Sequence, residues 1–306
     1  MFQAKRLLGR LPQPDAAFPE SMSLELSSTC NLACVHCPPH SPEFKDAMPR
    51  HGHMNVDLFQ RLMDEIDSHG IRHIALHKDG EPLLHPDIIS MLERVKARHE
   101  HHVYLTTNAQ RMGQEVIDAI LRARIDTVNF SIGAASEEFY GKVRGRGFKR
   151  VIENIHAFLS AMEAHSWKPD VHVQIIDLPE YEEMQDEIRE FREYWTSHPV
   201  EVSVWGKLNW GVLDAGAPKM RRYPCYSLWR YLFVNSDGGV TVCCMDWQDS
   251  LLVGDANTES LKGIWHGEQL REYRRLHMQR EWDGMDVCPT CNYWSWMPRL
   301  GSYSAP

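Results

Sequence analysis

The sequence predicts an α/β chain: a parallel sheet of six strand–helix units over residues 22–206, joined to a small β-hairpin and helix module over 207–306, with residues 1–21 as an N-terminal extension. Three observations predict it. Short apolar strand runs alternate with amphipathic helix patterns up to residue 205. The punctuation then changes through a linker-like stretch holding Gly206, Gly211, Gly216 and Pro218. The eight cysteines fall into two groups, with none between Cys37 and Cys225. Repeated strand–helix units imply a parallel sheet, because each helix carries the chain back to start the next strand in the same direction. Six units suit an open barrel or a wound sheet, and in either one ligands sit at the C-terminal strand ends.

Met22 to Leu26 reads as the first strand. A helix from about Val56 to Ser68 has its apolar stripe on Phe59, Leu62, Met63 and Ile66 and stops at Gly70. His73 to Leu76 is the second strand; the next helix opens with Pro86 in its first turn and buries Ile88, Ile89, Leu92 and Val95. Val103 to Thr106 is the third strand, and Val116, Ile117, Ile120 and Leu121 mark the third helix. Thr127 to Ser131 is followed by a helix carrying Val151, Ile152, Ile155, Phe158 and Leu159. Val171 to Ile176, a helix around Ile188 to Trp195, and Val200 to Trp205 complete the alternation. Further on, Tyr231 to Val234 and Val240 to Val242 flank NSDGG as a hairpin. A helix from Glu268 to His277 then precedes the Cys288/Cys291 pair and an aromatic tail.

Lys+Arg 33 against Asp+Glu 42 gives a formal charge of −9, which disfavours a nucleic-acid backbone as partner. No run of about 18 apolar residues is present, so no membrane span is expected. The opening MFQAKRLLGRLPQPD has only Leu7 and Leu8 as an apolar centre, too short for a secretory signal. A cytoplasmic protein is expected, and there clustered cysteines are more often metal ligands than disulfides.

Cys30-Asn-Leu-Ala-Cys34-Val-His-Cys37 directly follows the first strand. Three thiolates on one short loop can hold three corners of an iron–sulfur cubane and leave the fourth iron open to a small ligand. A zinc loop completed by His36 or His40 is the alternative. Lys78-Asp79-Gly80-Glu81-Pro82 follows the second strand, Thr106-Thr107-Asn108 the third, and Ser131 ends the fourth, with Arg144 in VRGRG beyond it. CNLACVHC resembles the CxxxCxxC signature of the radical S-adenosylmethionine (radical SAM) superfamily. The later segments resemble, in order, its GGEP motif, its TNG turn and the pair that holds the cofactor's ribose and carboxylate.

The resemblance covers residues from about 20 to 205 and implies a partial (β/α)6 TIM-like barrel. It also implies that Cys30, Cys34 and Cys37 ligate a [4Fe–4S] cluster, and that His36 stacks on the adenine of S-adenosyl-L-methionine. The backbone of Gly80, Glu81 and Pro82 would meet the methionyl amino group. Thr107, Asn108, Ser131 and Arg144 would complete the cofactor site. Two positions depart from the family pattern: Asp79 replaces the usual first glycine, and His36 replaces the usual aromatic residue.

Cys225, Cys243, Cys288 and Cys291 form a Cx17C pair and a distant CxxC, a closed four-thiolate site suited to zinc or to a fully ligated [4Fe–4S] cluster. Around them, GVTVCCMDW, LLVGDANTESLKGIW and CPTC resemble the SPASM domain, which follows a radical SAM barrel and binds auxiliary clusters. The cysteines are too few for its two-cluster form and resemble the shortened, one-cluster twitch version. One cysteine is then left over. The spacing and the place at the strand end favour Cys243 as the ligand, and strand alternation turns Cys244 to the other face. Cys244 is then either a small apolar filler or a reactive thiol.

The resemblance implies two [4Fe–4S] clusters, S-adenosyl-L-methionine and an external one-electron donor such as flavodoxin or ferredoxin. The cleaved cofactor yields a 5′-deoxyadenosyl radical that removes a hydrogen atom from a C–H bond. Two outcomes are expected. In an epimerase, Cys244 returns hydrogen to the opposite face of a carbinol carbon. In a dehydrogenase, a secondary alcohol is oxidised, the auxiliary cluster takes the electron and no spare cysteine is needed. A third reading is a protein that only carries electrons. Peptide-modifying members carry an N-terminal recognition domain, for which the residues before the first strand are too few. The expected substrate is therefore a sugar, aminocyclitol or aminoglycoside, and the acidic balance with carboxylates such as Asp79 suits an amine on it.

Overall fold

The computed structural model describes residues 18–44, 46–98, 100–213 and 222–296. Gly216, Pro218, most of the N-terminal extension and the end of the aromatic tail lie outside the described residues. Six parallel strands, β1 (Ser21–Leu24), β2 (His73–Ala75), β3 (His102–Thr107), β4 (Thr127–Ser131), β5 (Asp170–Asp177) and β6 (Glu201–Gly206), lie side by side in chain order. Helices α1 (Val56–His69), α2 (Ile88–Val95), α3 (Gln114–Ala123), α4 (Glu137–Val143), α5 (Phe148–Ala164) and α6 (Met184–Trp195) connect them. Asn55 caps α1 by accepting the Asp57 and Leu58 N–H groups, and Gly70 ends it in a left-handed conformation.

Alternate strand residues (Ile74, Val103, Leu105, Val128, Phe130, Val173 and Ile175) are buried in one core with Phe59, Leu92, Ile120, Phe158 and Phe191 of the helices. The intervening residues of β3 and β5, among them Tyr104, Thr106, His172 and Gln174, are half-buried and mostly polar. They line the other face, where Asn129 Nδ2 donates to Gln174 Oε1 at 2.9 Å. The sheet thus has an apolar face packed against the helices and a more polar opposite face, and its C-terminal rim gathers the loops described below.

Two features differ from the sequence reading. Two helices, not one, separate β4 from β5: α4 is capped by Ser136, whose Oγ accepts the Phe139 N–H at 3.1 Å. Gly145 and Gly147, at φ +109° and +105°, turn the chain from α4 into α5. The hairpin β7 (Tyr231–Val234) and β8 (Gly239–Thr241) does not stand apart either. β7 pairs in parallel with β1, Met22 opposite Leu232, and β9 (Leu252–Asp255) adds an antiparallel edge. The result is one nine-stranded sheet in which β7 covers the edge that β1 would otherwise expose. Helices α7 (Leu261–Trp265) and α8 (Glu268–Gln279) follow. No helix among the described residues is long and apolar enough to cross a membrane.

Candidate active site

The loops after β1, β2 and β3 are laced together at the C-terminal rim by one residue, Glu81, through its backbone N–H and its carboxylate. Glu81 is buried, its N–H donates to Thr29 O at 2.8 Å, and its Oε1 accepts from Thr107 Oγ1 at 2.6 Å and from the Leu83 N–H at 3.1 Å. Its Oε2 accepts the Asn108 N–H at 2.7 Å. Gly80 permits the approach, since a Cβ there would lie 2.1 Å from Ser27 O. Pro82 opens the 3-10 turn that follows. Asn108 reaches across to the cysteine loop, donating to Asn31 Oδ1 at 2.9 Å and lying 3.9 Å from Cys30 Sγ. The side chains of Glu81, Thr107 and Asn108 are therefore engaged with protein and set the shape of the rim.

Cys30, Cys34 and Cys37 stand close enough to affect one another. Burial pushes the Cys30 thiol up to about 12 and the Cys37 thiol well above its ordinary value, and neighbouring thiols add to both shifts. Binding a metal there must release protons. The loop is held to the end of α4 by Val35 N–H donating to Val143 O at 3.0 Å. The next residue, Arg144, reaches back to the end of β4, where its Nη2 donates to Ser131 Oγ at 2.7 Å. Gly133, at φ +78°, makes room for it: a Cβ there would lie 2.3 Å from Arg144 Nε. Burial, with the cations Arg144 and Lys207 adding, holds His36 neutral by pushing it down to about 3.

A buried ion network joins this rim to the C-terminal module. Arg50 Nε pairs with Glu25 Oε2 at 2.8 Å, its Nη1 with Asp249 Oδ1 at 2.5 Å, and its Nη2 with Asp79. Lys78, its side chain 1% exposed, pairs with Asp79 Oδ2 at 2.5 Å and donates to Asp246 O at 3.0 Å. Burial raises Glu25, but Lys78 and Arg50 outweigh it and hold the carboxyl below the ordinary carboxylate value. Asp79 Oδ2 is thus shared by two internal cations, while its Oδ1 is buried without a hydrogen-bond partner.

The thiols of the second cysteine group also act on one another, although no group of three or more His, Cys, Asp or Glu side chains among the described residues is placed to hold a single metal ion. Cys243 feels Cys244, Cys291, Cys288 and Cys225, with burial the largest cause of its raised thiol. Strand β8 ends at Thr241, so Cys243 and Cys244 lie on the turn beyond it and strand alternation does not apply to them. Cys243 Sγ accepts the Met245 N–H at 3.3 Å. Cys244 is pushed up by burial, then by Cys291 and Cys225, and pulled back by Lys78 and a hydrogen bond from Tyr293. The turn that carries it is tied to the loop after β2 by Lys78 Nζ donating to Asp246 O at 3.0 Å. Sequence reading missed Arg50, Lys78, Tyr293, His277 and Gly133; of these, only the Lys78 segment had a motif to draw attention to it.

Residues 24–192 match the radical SAM superfamily, and residues 225–292 match SPASM, an iron–sulfur cluster-binding domain. An AdoMet-dependent heme synthase from Methanosarcina barkeri is 29% identical over 145 residues, 47% of this chain and 40% of that protein. A GTP 3′,8-cyclase from Lactiplantibacillus plantarum is 26% identical over 181 residues, 58% of this chain and 51% of that one. The chain thus spans at most about half the length of these curated relatives. A crystal structure of BtrN in complex with AdoMet and 2-DOIA superposes with a TM-score of 0.63 at 17% identity, covering 90% of this chain and 93% of that one.

The two families imply a catalytic cluster, S-adenosylmethionine and an auxiliary cluster. The residues present fit these groups. Each set offers thiols; the carboxylate of Glu81, which acts on Cys30, is taken up by Thr107, Leu83 and Asn108. His36 Nδ1 and Arg144 Nε, both buried near the first set, have no hydrogen-bond partner. A polar ligand on that set would satisfy them.

Proposed function

The chain belongs to the radical SAM superfamily and carries a SPASM iron–sulfur domain, and we propose that it inverts a carbinol C–H centre of a sugar or aminoglycoside, with Cys244 as the hydrogen donor. Cys30, Cys34 and Cys37 would hold one [4Fe–4S] cluster, and Cys225, Cys243, Cys288 and Cys291 a second. Arg144, Ser131 and His36 would hold S-adenosylmethionine beside that cluster, where it would supply the 5′-deoxyadenosyl radical for removal of hydrogen from the substrate. The polar face of the sheet would hold the substrate carbon in reach and keep water from it.

The observation that carries the reading is the position of Cys244. It is the one cysteine beyond the seven that would serve as ligands, and its thiol feels both Lys78, whose Nζ donates to Asp246 O at 3.0 Å two residues further on, and the thiols of Cys291 and Cys225. Its S–H bond is weaker than the C–H bond it would form, so hydrogen passes from sulfur to carbon and leaves a thiyl radical. Restoring the thiol would take one proton from solvent and one electron, which an auxiliary cluster held by Cys225, Cys243, Cys288 and Cys291 would supply, drawn ultimately from a donor such as flavodoxin or ferredoxin.

The test is turnover of candidate aminoglycosides and sugars in D2O. The wild type is expected to place one deuterium at the inverted carbon with no change of redox level. Cys244→Ala is expected to cleave the cofactor and keep its iron yet form no inverted product. Product lighter by two hydrogens, or full conversion by Cys244→Ala, would discard the thiol donor and point to dehydrogenation of a secondary alcohol.

A further inference from the structure

Helix α8 delivers one side chain into the second thiol set. His277 is 1% exposed, packed with its ring centroid 6.1 Å from that of Trp282. Its two nitrogens face different partners. The backbone N–H of Cys225 donates to Nδ1 at 3.1 Å, and Nε2 lies 3.5 Å from Cys288 Sγ. A nitrogen that accepts a hydrogen bond from a backbone amide carries no proton of its own, so the ring proton is on Nε2. That proton points at Cys288 sulfur. The tautomer is set by the backbone of one candidate ligand, and the resulting donor is aimed at another.

From this geometry we infer that His277 sets the reduction potential of the auxiliary cluster through an Nε2–H···S bond to Cys288. A hydrogen bond to a ligand sulfur draws off negative charge and stabilises the reduced cluster, so its loss makes reduction harder. His277 is not among the residues expected to ligate metal; it is a positioning and tuning residue, acting through Cys225 and Cys288. The arrangement matters because either outcome of the radical chemistry runs an electron through this cluster. The inference rests on the reading above, that the four thiols hold an iron–sulfur cluster.

The test is a redox titration of the auxiliary cluster by electron paramagnetic resonance. It is run on reconstituted holoenzyme and in the Cys30→Ala, Cys34→Ala, Cys37→Ala background, where only the auxiliary signal remains. His277→Leu is expected to lower the one-electron reduction equilibrium by about tenfold, about 59 mV more negative. His277→Gln is expected to recover most of the shift, because its amide oxygen can accept from Cys225 and its N–H can reach the sulfur. An unchanged potential in His277→Leu with the cluster intact would overturn the inference. So would an equal shift in Leu and Gln, which would mean packing rather than a hydrogen bond. If His277→Leu fails to load iron, the Gln variant decides: a potential like wild type supports the inference and a lowered one overturns it. A wild-type protein with zinc and no auxiliary signal is a different result, and overturns the cluster reading itself.

Discussion

Arg144 donates from Nη2 to Ser131 Oγ at the end of β4, and its Nε is buried without a hydrogen-bond partner. If S-adenosylmethionine takes that position, Arg144→Ala should weaken its binding by about 10- to 100-fold, the equivalent of one charge-assisted hydrogen bond. Both clusters should remain, because no ligand is lost. Gly133→Ala should give the same phenotype by a different route: its Cβ would fall 2.3 Å from Arg144 Nε at a φ of +78°, displacing the guanidinium. Equilibrium binding of the cofactor checks both, and unchanged affinity in the pair would assign the wrong cation. Arg144 was legible in sequence from the VRGRG segment. Gly133 was not, because nothing local to it reveals that a side chain from the far end of α4 must pass over it.

At the level of elements, the β2 loop and the turn after β8 are locked together by charge. Arg50 meets Glu25, Asp79 and Asp249, and Lys78 meets Asp79 and the Asp246 carbonyl, all with little or no exposure to solvent. Removing one partner from such a set leaves uncompensated charge in a poorly solvated place, at a cost of about 3–5 kcal/mol. Arg50→Met should therefore lower the thermal midpoint sharply. Asp79→Gly, which restores the glycine usual in the family, should also destabilise the protein, since Lys78 and Arg50 lose a shared anion. A melting curve for Asp79→Gly coincident with wild type would show that the network carries no stability. The helix stripes and strand runs were legible because their periodicity lies within a dozen residues. The ion network was not: Arg50 and Asp249 are 199 residues apart, and neither carries a local signal of the other. Helix α4 escaped because its seven residues are too few to show a clear stripe.

For the whole molecule, two cysteine groups predict two clusters. Anaerobically reconstituted protein should hold about eight iron atoms, and Cys30→Ala, Cys34→Ala, Cys37→Ala together should remove about half while abolishing cofactor cleavage. About four iron and one zinc in fully loaded wild type would refute the two-cluster assignment. The order of motifs along the chain was enough to establish the family and the parallel strand–helix architecture, because cysteine spacing, strand ends and helix stripes are local properties that each short segment expresses alone. How the two parts meet was a different matter. That β7 pairs with β1, that Cys243 and Cys244 leave the strand before they are reached, and that His277 is aimed at Cys288 all depend on contacts between distant segments. Such contacts arise only when a sheet edge, a buried charge or a polar ring has to find its partner in the packed interior, and short-range pattern carries no record of which partner that will be.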